Sequence, residues 1–325
     1  MSEAPACHSE QPDRRGTACC APTTAAGSSL AAQTDPIPVA LSICIVSWNT
    51  RDHLRACLQS LVEHAPGCPY EIIVVDNASG DGSADMVAGD FPGVRLIANA
   101  ANEQYARASN QALRASAGDL LLLLNPDVRV AAGTIDALVE FMDANPAAGA
   151  CAPRLTYPDG RLQCSVRSFP TPGALLADFL CLARLFPRSE TCGRYRLTFW
   201  DYDSVREVEQ PMASAFMVRR RALLQVGLFD EQFPLFFNDV DLCYRLRQAA
   251  WRIYFVPNAR AIHHVGAATS QARRQALRLS QEGLLRFYRK HYRGALPWTT
   301  YGAAMLGIRA AFALRRAGAA LRRES

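Results

Sequence analysis

Asp127 follows an unbroken run of leucines, Leu120–Leu124, and the breaker Asn125-Pro126. Pro126 lacks a backbone donor and stops an apolar strand there, so Asp127 is expected to project from its end. Downstream, Leu235–His264 sets Asp239 and Asp241 at the start of a helical pattern and closes on His263 and His264. Carboxylates and an imidazole on strand ends and turns suit a divalent cation, Mg²⁺ or Mn²⁺, and a proton acceptor. Together they suggest transfer of a group from a phosphorylated donor to a hydroxyl. Each residue also has a plainer use. Asn-Pro-Asp is a good turn, Asp is favoured in a first helical turn, and a His-His pair is often structural. Of the two helix aspartates, Asp239 is the expected base, because Asp241 is placed to pair with Arg245 four residues on. The aromatic run Phe233–Phe237 before Asp239 is expected to desolvate it and raise its pKa.

Other polar residues follow apolar runs in the same way. Ser47 and Asn49 follow VALSICIVS, Asp76 and Asn77 follow EIIVV, and Asn99–Asn102 follow VRLIA. A carboxylate and an amide at a strand end can read the edge of a nucleobase, and the Gly-rich ASGDGS segment permits close backbone approach. The same segment also reads as a polar turn capping the next helix.

Positioning these residues calls for alternating strands and helices. Strands are expected near 39–47, 71–75, 94–98 and 119–124. Helical spacing covers 51–64 (Leu54, Leu58, Leu61, Val62; Asn49 or Thr50 as cap), 104–116 and 134–144. That alternation predicts an α/β fold with a mostly parallel sheet flanked by helices, in which chemistry gathers at the carboxyl ends of strands. The second half is less regular: loop and short strands over 152–172, a strand at 212–218, helices at 220–226 and 240–249, a strand at 252–256, and a long polar helix over 271–292. Residues 1–38, rich in Ala, Ser, Thr, Pro and Gly, predict a disordered tail.

With 325 residues, half of them hydrophobic, the chain can bury a sizeable core. The net charge of +5 is modest and almost wholly arginine, Lys290 being the sole lysine, so charge alone does not imply nucleic-acid binding. No apolar run approaches the ~18 residues of a membrane helix. No basic segment followed by an apolar one opens the chain, so no signal peptide is expected. Cys44, Cys57, Cys151 and Cys243 lie in apolar contexts and predict buried free thiols of a reducing cytosol; Cys7, His8, Cys19 and Cys20 match no common zinc spacing. There is no Walker A segment, no GxGxxG after the first strand and no GxSxG.

The ordered set VSWN (46–49), VVDNASGDGS (74–83), LLLLNPDV (121–128), VGLFDEQFPLFFNDVDLCYRLRQAAW (226–251) and ARAIHHVG (259–266) resembles the family 2 inverting glycosyltransferases, bacterial rhamnosyltransferase-like members above all. The resemblance covers roughly Leu41–Tyr292. It implies a GT-A fold, a nucleotide-diphospho-sugar donor, a glycan or lipid-linked acceptor, Mg²⁺ or Mn²⁺, and a role in cell-surface polysaccharide or glycoconjugate synthesis. It implies that Ser47, Asn49, Asp76, Asn77, Asn102 and Asn125 bind the donor nucleotide, that Asp127 and His263 hold metal, and that Asp239 is the base of a single displacement. Trp251 and Arg245 belong to the signature as structural residues. Three positions depart from it: Asn238 stands where Glu usually precedes the catalytic Asp, Gln104 where Gly is usual, and Ala268 where Ser is common. A nucleotidyltransferase would use similar strand-end carboxylates, and the departures keep a non-catalytic sugar-nucleotide-binding homologue in view.

Residues 296–325 form a separate C-terminal extension. Tyr301, Met305, Ile308 and Phe312 recur at helical spacing, with Arg309, Arg316 and Arg323 seven apart. A basic amphipathic helix of this kind either lies on an anionic membrane surface or packs on the domain. The first option makes the protein cytoplasmic and peripheral on the inner face of the cell membrane.

Overall fold

Residues 39–264 and 273–321 are described by a computed structural model. The first half is built from parallel strands β1 (Leu41–Ser47), β2 (Tyr70–Asp76), β3 (Arg95–Ala98) and β4 (Leu120–Leu124). They are joined by α1 (Arg51–Glu63), α2 (Ser83–Asp90) and α3 (Gln104–Ala115). β5 (Val128–Val130), α4 (Thr134–Ala144), β6 (Ala148–Thr156) and β7 (Val166–Arg167) follow. Next come α5 (Pro172–Phe179), α6 (Leu182–Leu185), α7 (Glu190–Gly193), β8 (Arg206–Glu207), β9 (Gln210–Pro211) and β10 (Ala215–Arg219). The chain continues with α8 (Arg220–Val226), α9 (Asn238–Gln248), β11 (Arg252–His263), α10 (Arg273–Phe287), a π-helical turn (Tyr288–Tyr292) and α11 (Trp298–Leu321).

Among the described residues nine strands form one sheet in the order β3-β2-β1-β4-β10-β6-β11-β5, with β8 on β11; β7 and β9 pair as a separate ribbon. β5, β8 and β10 run against the other six. Period-2 alternation places the leucines of β4 on both faces. Leu121 and Leu123 join a cluster with α3, α9 and α10, and Leu120, Leu122 and Leu124 join one with α1 and α4. Burial on both faces is why β4 reads as a continuous apolar run. The mostly parallel α/β sheet therefore stands, and Cys44, Cys57, Cys151 and Cys243 are buried free thiols.

Several local expectations are corrected. β6 is a full strand although its start, Ala-Gly-Ala-Cys-Ala-Pro, lacks β-branched residues; Gly149 is required there because a Cβ would sit 2.7 Å from Trp251 Cβ. β11 runs past Val256 to His263 through a register shift between Val256 and Arg260, where Pro257 interrupts the pattern. The helix expected over 271–292 ends in the π turn, and its inner face is apolar: Leu284, Leu285, Phe287, Tyr288 and Tyr292 are buried. Thr50 is the N-cap of α1 by position only, since its hydroxyl pairs with Ser47 Oγ at 3.0 Å.

In α11, Met305, Ile308 and Phe312 are buried in the same cluster as α3 and α9, so its apolar face packs on the domain. No described helix is long and apolar enough to cross a membrane. The tail 1–38 with Cys7, His8, Cys19 and Cys20, together with Gly266, Ala268, Arg322 and Arg323, lies outside the described residues.

Candidate active site

Strand register brings the polar residues to one edge. Ser47 lies opposite Asp76, Asp76 opposite Ala98, and Ile45 opposite Leu124, so the carboxyl ends of β1, β2, β3 and β4 line up. His263 ends β11 opposite Val128, and its neighbour His264 donates its N–H to the Asp127 carbonyl at 2.9 Å.

On one flank, the loops after β1, β2 and β3 are tied to one another. Asn49 adopts φ 51°; its N–H donates to Ser79 Oγ (2.9 Å) and its Oδ1 accepts from Gly80 N (2.8 Å). Asp76 is buried. Its Oδ2 accepts from Ser79 N at 2.9 Å, whereas Oδ1 has no partner. A buried, unpartnered carboxylate oxygen is uncommon and suits a donor from a bound ligand. Asn77 is committed internally. Its Oδ1 accepts from Asn99 Nδ2 (3.1 Å) and Glu103 N (2.9 Å), and its Nδ2 donates to Asn102 Oδ1 (2.9 Å). Asn102 Oδ1 also accepts from Gln104 N at 2.9 Å. Asn77 and Asn102 therefore shape this loop by bracing it. Gln104 sits at φ 65°, the left-handed region that a glycine takes without strain.

In the centre, Asp127 is buried, and its Oδ1, without a hydrogen-bond partner, lies 3.3 Å from His263 Nε2. His263 Nδ1 meets Gln163 Oε1 at 3.0 Å. When Nδ1 donates there, Nε2 turns its lone pair toward Asp127. Two acceptors facing each other fit a pair of ligands to a divalent cation, with Gln163 orienting the imidazole from behind. Among the described residues no third His, Cys, Asp or Glu joins them, so a cation held by this pair would need further oxygen ligands from outside the chain. Nothing in the sequence singled out Gln163.

Asp239 occupies the other flank. The turn Ala213-Ser214 before β10 links the two sides: Ser214 O accepts from Asn125 N at 2.8 Å, and Ala213 N donates to Asp239 Oδ2 at 3.4 Å. Asp239 Oδ1 accepts from Val240 N at 2.8 Å. Burial pushes the Asp239 pKa up, against these two amides and the charge of Arg167. The raised value matches the expectation from the aromatic run. Burial also raises the Tyr105 pKa, and the charges of both Asp239 and Asp127 oppose its ionisation, which places the three in one electrostatic neighbourhood.

Asp241, two residues on, is fully buried and committed to structure. Arg245 Nε (2.8 Å), Lys290 Nζ (2.7 Å) and His291 Nε2 (2.8 Å) surround it. Burial opposes its charge, but His291, Arg245 and Lys290 hold its pKa down at about 2. Arg245 also donates to the carbonyls of Val226, Gly227 and Leu228, and Trp251 Nε1 donates to Gln225. Lys290 and His291 were missed by sequence reasoning, although the solitary lysine was a usable signal.

Asn238 is buried and donates to the carbonyls of Leu235 (2.9 Å) and Phe233 (3.4 Å), bracing the loop that enters α9 through Phe237 at φ 69°. Gly283 of α10 lies against this loop; a Cβ there would sit 2.9 Å from Phe237 Cδ2. A recess of about 470 Å³ lined by Pro146, Arg221 and Trp251 lies at the amino ends of β6 and β11, away from these carboxylates.

Comparison with known proteins bears on the family and the fold. The model of "Glycosyl transferase family 2" matches residues 42–224. The chain is 32% identical over 290 residues to the N-acetylglucosaminyl-diphospho-decaprenol L-rhamnosyltransferase of Mycobacterium tuberculosis, covering 84% of this chain and 92% of that protein. It is 25% identical over 236 residues to rhamnosyltransferase WbbL of Escherichia coli, covering 68% of this chain and 82% of that one. Among solved structures, a mannosyltransferase from Pyrobaculum calidifontis in complex with GDP-Man and Mn²⁺ superposes with TM-score 0.53 at 19% identity, over 89% of this chain and 84% of that one. GalNAc-T7 with UDP, GalNAc and Mn²⁺ gives TM-score 0.53 at 17% identity, over 81% of this chain and 52% of that one. Both share the fold.

Proposed function

The chain belongs to glycosyl transferase family 2, and we propose that it transfers an L-rhamnosyl group from a nucleoside diphosphate to a hydroxyl of a sugar carried on a lipid diphosphate, inverting the anomeric carbon. The observation that carries this reading is the Ala213-Ser214 turn, which holds the Asp239 carboxylate beside the loop bearing Asp127. The sugar and the lipid carrier are taken from the two relatives named as rhamnosyltransferases, one of them for a decaprenol-linked substrate. A part in surface-polysaccharide assembly, at the cytoplasmic face of the membrane where such an acceptor would reside, belongs to the same proposal.

Asp239 accepts the proton of the acceptor hydroxyl, whose oxygen attacks the anomeric carbon as its bond to the diphosphate breaks on the opposite face. Its raised pKa makes it a stronger base than an ordinary carboxylate and still leaves it acceptor-ready above that pKa. Asp127 and His263 would hold Mg²⁺ or Mn²⁺, which would neutralise charge on the departing diphosphate. Asp76 Oδ1 accepts from the nucleobase; Ser47, Asn49 and Asn125 line the nucleotide loops, and Asn77 and Asn102 shape them. The Asn238 departure braces a loop and removes no group from this scheme.

The test is incubation with a nucleoside-diphospho-L-rhamnose and N-acetylglucosamine on a short prenyl diphosphate. The expected product is one deoxyhexose heavier, with inverted anomeric configuration. Nucleotidyl transfer with release of pyrophosphate would overturn the proposal.

A further inference from the structure

The β7–β9 ribbon places Arg167 beside Asp239. Arg167 lies opposite Gln210, and three residues further on Ala213 donates to Asp239. Arg167 is half-buried, its guanidinium 5.7 Å from the Tyr195 ring, and it has no carboxylate partner among the described residues. Its charge reaches Asp239.

Arg167 lines a recess of about 210 Å³ whose rim carries Arg194 and Arg206. Three glutamates also line it. Glu209 is engaged by Arg194 (3.7 Å) and by the Phe169 N–H, while Glu207 is engaged by Arg247 and, at 3.8 Å, Arg252. Glu190 is the remaining one. With Glu209 taken by Arg194 and Glu207 by Arg247 and Arg252 from outside the lining, Glu190 is left to balance Arg167 and Arg206, neither of which has a carboxylate partner among the described residues.

An apolar surface adjoins the recess. Phe186 is 57% exposed and Leu185 71%. Phe186 stands four residues before Glu190, so their backbones are no more than about 14 Å apart. Leu176 and Leu180 on the same α5–α6 segment are also exposed. Exposed leucines and phenylalanine next to a cationic recess complement an amphiphile with an anionic head.

Building on the proposed transfer reaction, we infer that Arg167, with Arg194 and Arg206, forms an acceptor subsite for a prenyl diphosphate, separate from the donor's diphosphate site at Asp127 and His263. The diphosphate sits in the recess, the prenyl chain leaves over α5–α6, and the sugar on the diphosphate is thereby directed to Asp239. A planar guanidinium that no carboxylate occupies is free to take phosphate oxygens bidentately.

Calorimetric titration with farnesyl diphosphate, farnesyl monophosphate and farnesol tests this, in EDTA, on wild type, Arg167→Ala, Arg167→Gln and Asp127→Ala. The thermal unfolding of each variant is checked first; Arg167→Gln preserves most of the stem packing if the alanine variant is unstable. The expected order is diphosphate tightest and farnesol weakest, with affinity for the diphosphate falling about ten- to a hundredfold in both Arg167 variants and holding in Asp127→Ala. Loss in Asp127→Ala with retention in the Arg167 variants would mean the probe occupies the donor site, and would overturn the assignment. Equal affinity for farnesol, or no binding of the diphosphate by wild type, would overturn it too. Failure of the transfer reaction itself is read separately, as wild type that releases no nucleoside diphosphate from any sugar nucleotide.

Discussion

Asp239 and Asp241 stand two positions apart on α9, yet their pKa values move in opposite directions. Asp239 receives two backbone amides and is raised by burial; Asp241, fully buried, is surrounded by Arg245, Lys290 and His291 and held down. One turn of helix thus supplies a poised base and an anchor that fixes where the base sits. Pairs of carboxylates whose surroundings push them apart are a recurrent way of dividing roles.

The two should separate under mutation. Asp239→Asn keeps an oxygen for the Val240 amide, gives up only the longer bond from Ala213 (3.4 Å), and removes a charge that burial disfavours. Turnover should fall by about 10²–10⁴-fold, while the melting temperature at neutral pH holds or rises. Differential scanning calorimetry beside a transfer assay measures both. A fall in melting temperature matching the lost activity would make Asp239 structural.

Asp241→Asn should do the reverse. It leaves Arg245, Lys290 and His291 around a buried amide with no carboxylate to answer the two charges of Arg245 and Lys290, and should destabilise the fold by about 3 kcal/mol or more. The folded pKa of Asp241, about 2, lies below its unfolded value near 3.9. Its contribution to stability is therefore present above the unfolded pKa and lost as pH falls toward 2. Urea unfolding at pH 7 and at pH 3 should show the gap between wild type and Asp241→Asn narrowing in acid.

The Asp239 shift also sets a kinetic pH dependence. A base must be ionised to accept a proton, so the acid limb of kcat/KM, which reports the free enzyme, should lie above the ordinary carboxylate range and should vanish in the residual activity of Asp239→Asn. For stability the sign is opposite: a raised folded pKa stabilises at low pH, and that contribution is lost as pH rises through it. A kcat/KM profile with an unshifted carboxylate limb would contradict the burial of this group.

Asn238 offers a sharper test, because the family resemblance puts Glu there. Here the amide donates to the Leu235 and Phe233 carbonyls, which a carboxylate cannot do. Asn238→Glu should destabilise by about 2 kcal/mol or more and lower activity. A gain in activity at unchanged stability would show that the position belongs to the chemistry.

The parallel half of the fold was legible because β1, β2 and β4 are apolar runs and α1, α3 and α4 are periodic. Ordered motifs at strand ends then marked Asp127, Asp239 and His263. What stayed hidden depended on contacts distant in sequence. Gln163 meets His263 a hundred positions on; Lys290 and His291 reach Asp241 only because α10 and its π turn fold back on α9. β6 lacked the β-branched residues that advertise a strand, and β11 continued through Pro257 by a register shift. The apolar face of α11 was visible, but only the fold decides that Met305, Ile308 and Phe312 meet the domain.

The most direct measurement is nucleoside diphosphate release from a panel of sugar nucleotides, with Mn²⁺, Mg²⁺ or EDTA, by wild type and Asp127→Ala. Release from one donor that requires the metal and falls by about 10²-fold or more in Asp127→Ala is the predicted result. Release that is indifferent to EDTA and to Asp127→Ala would contradict the assignment of Asp127 and His263 to a cation.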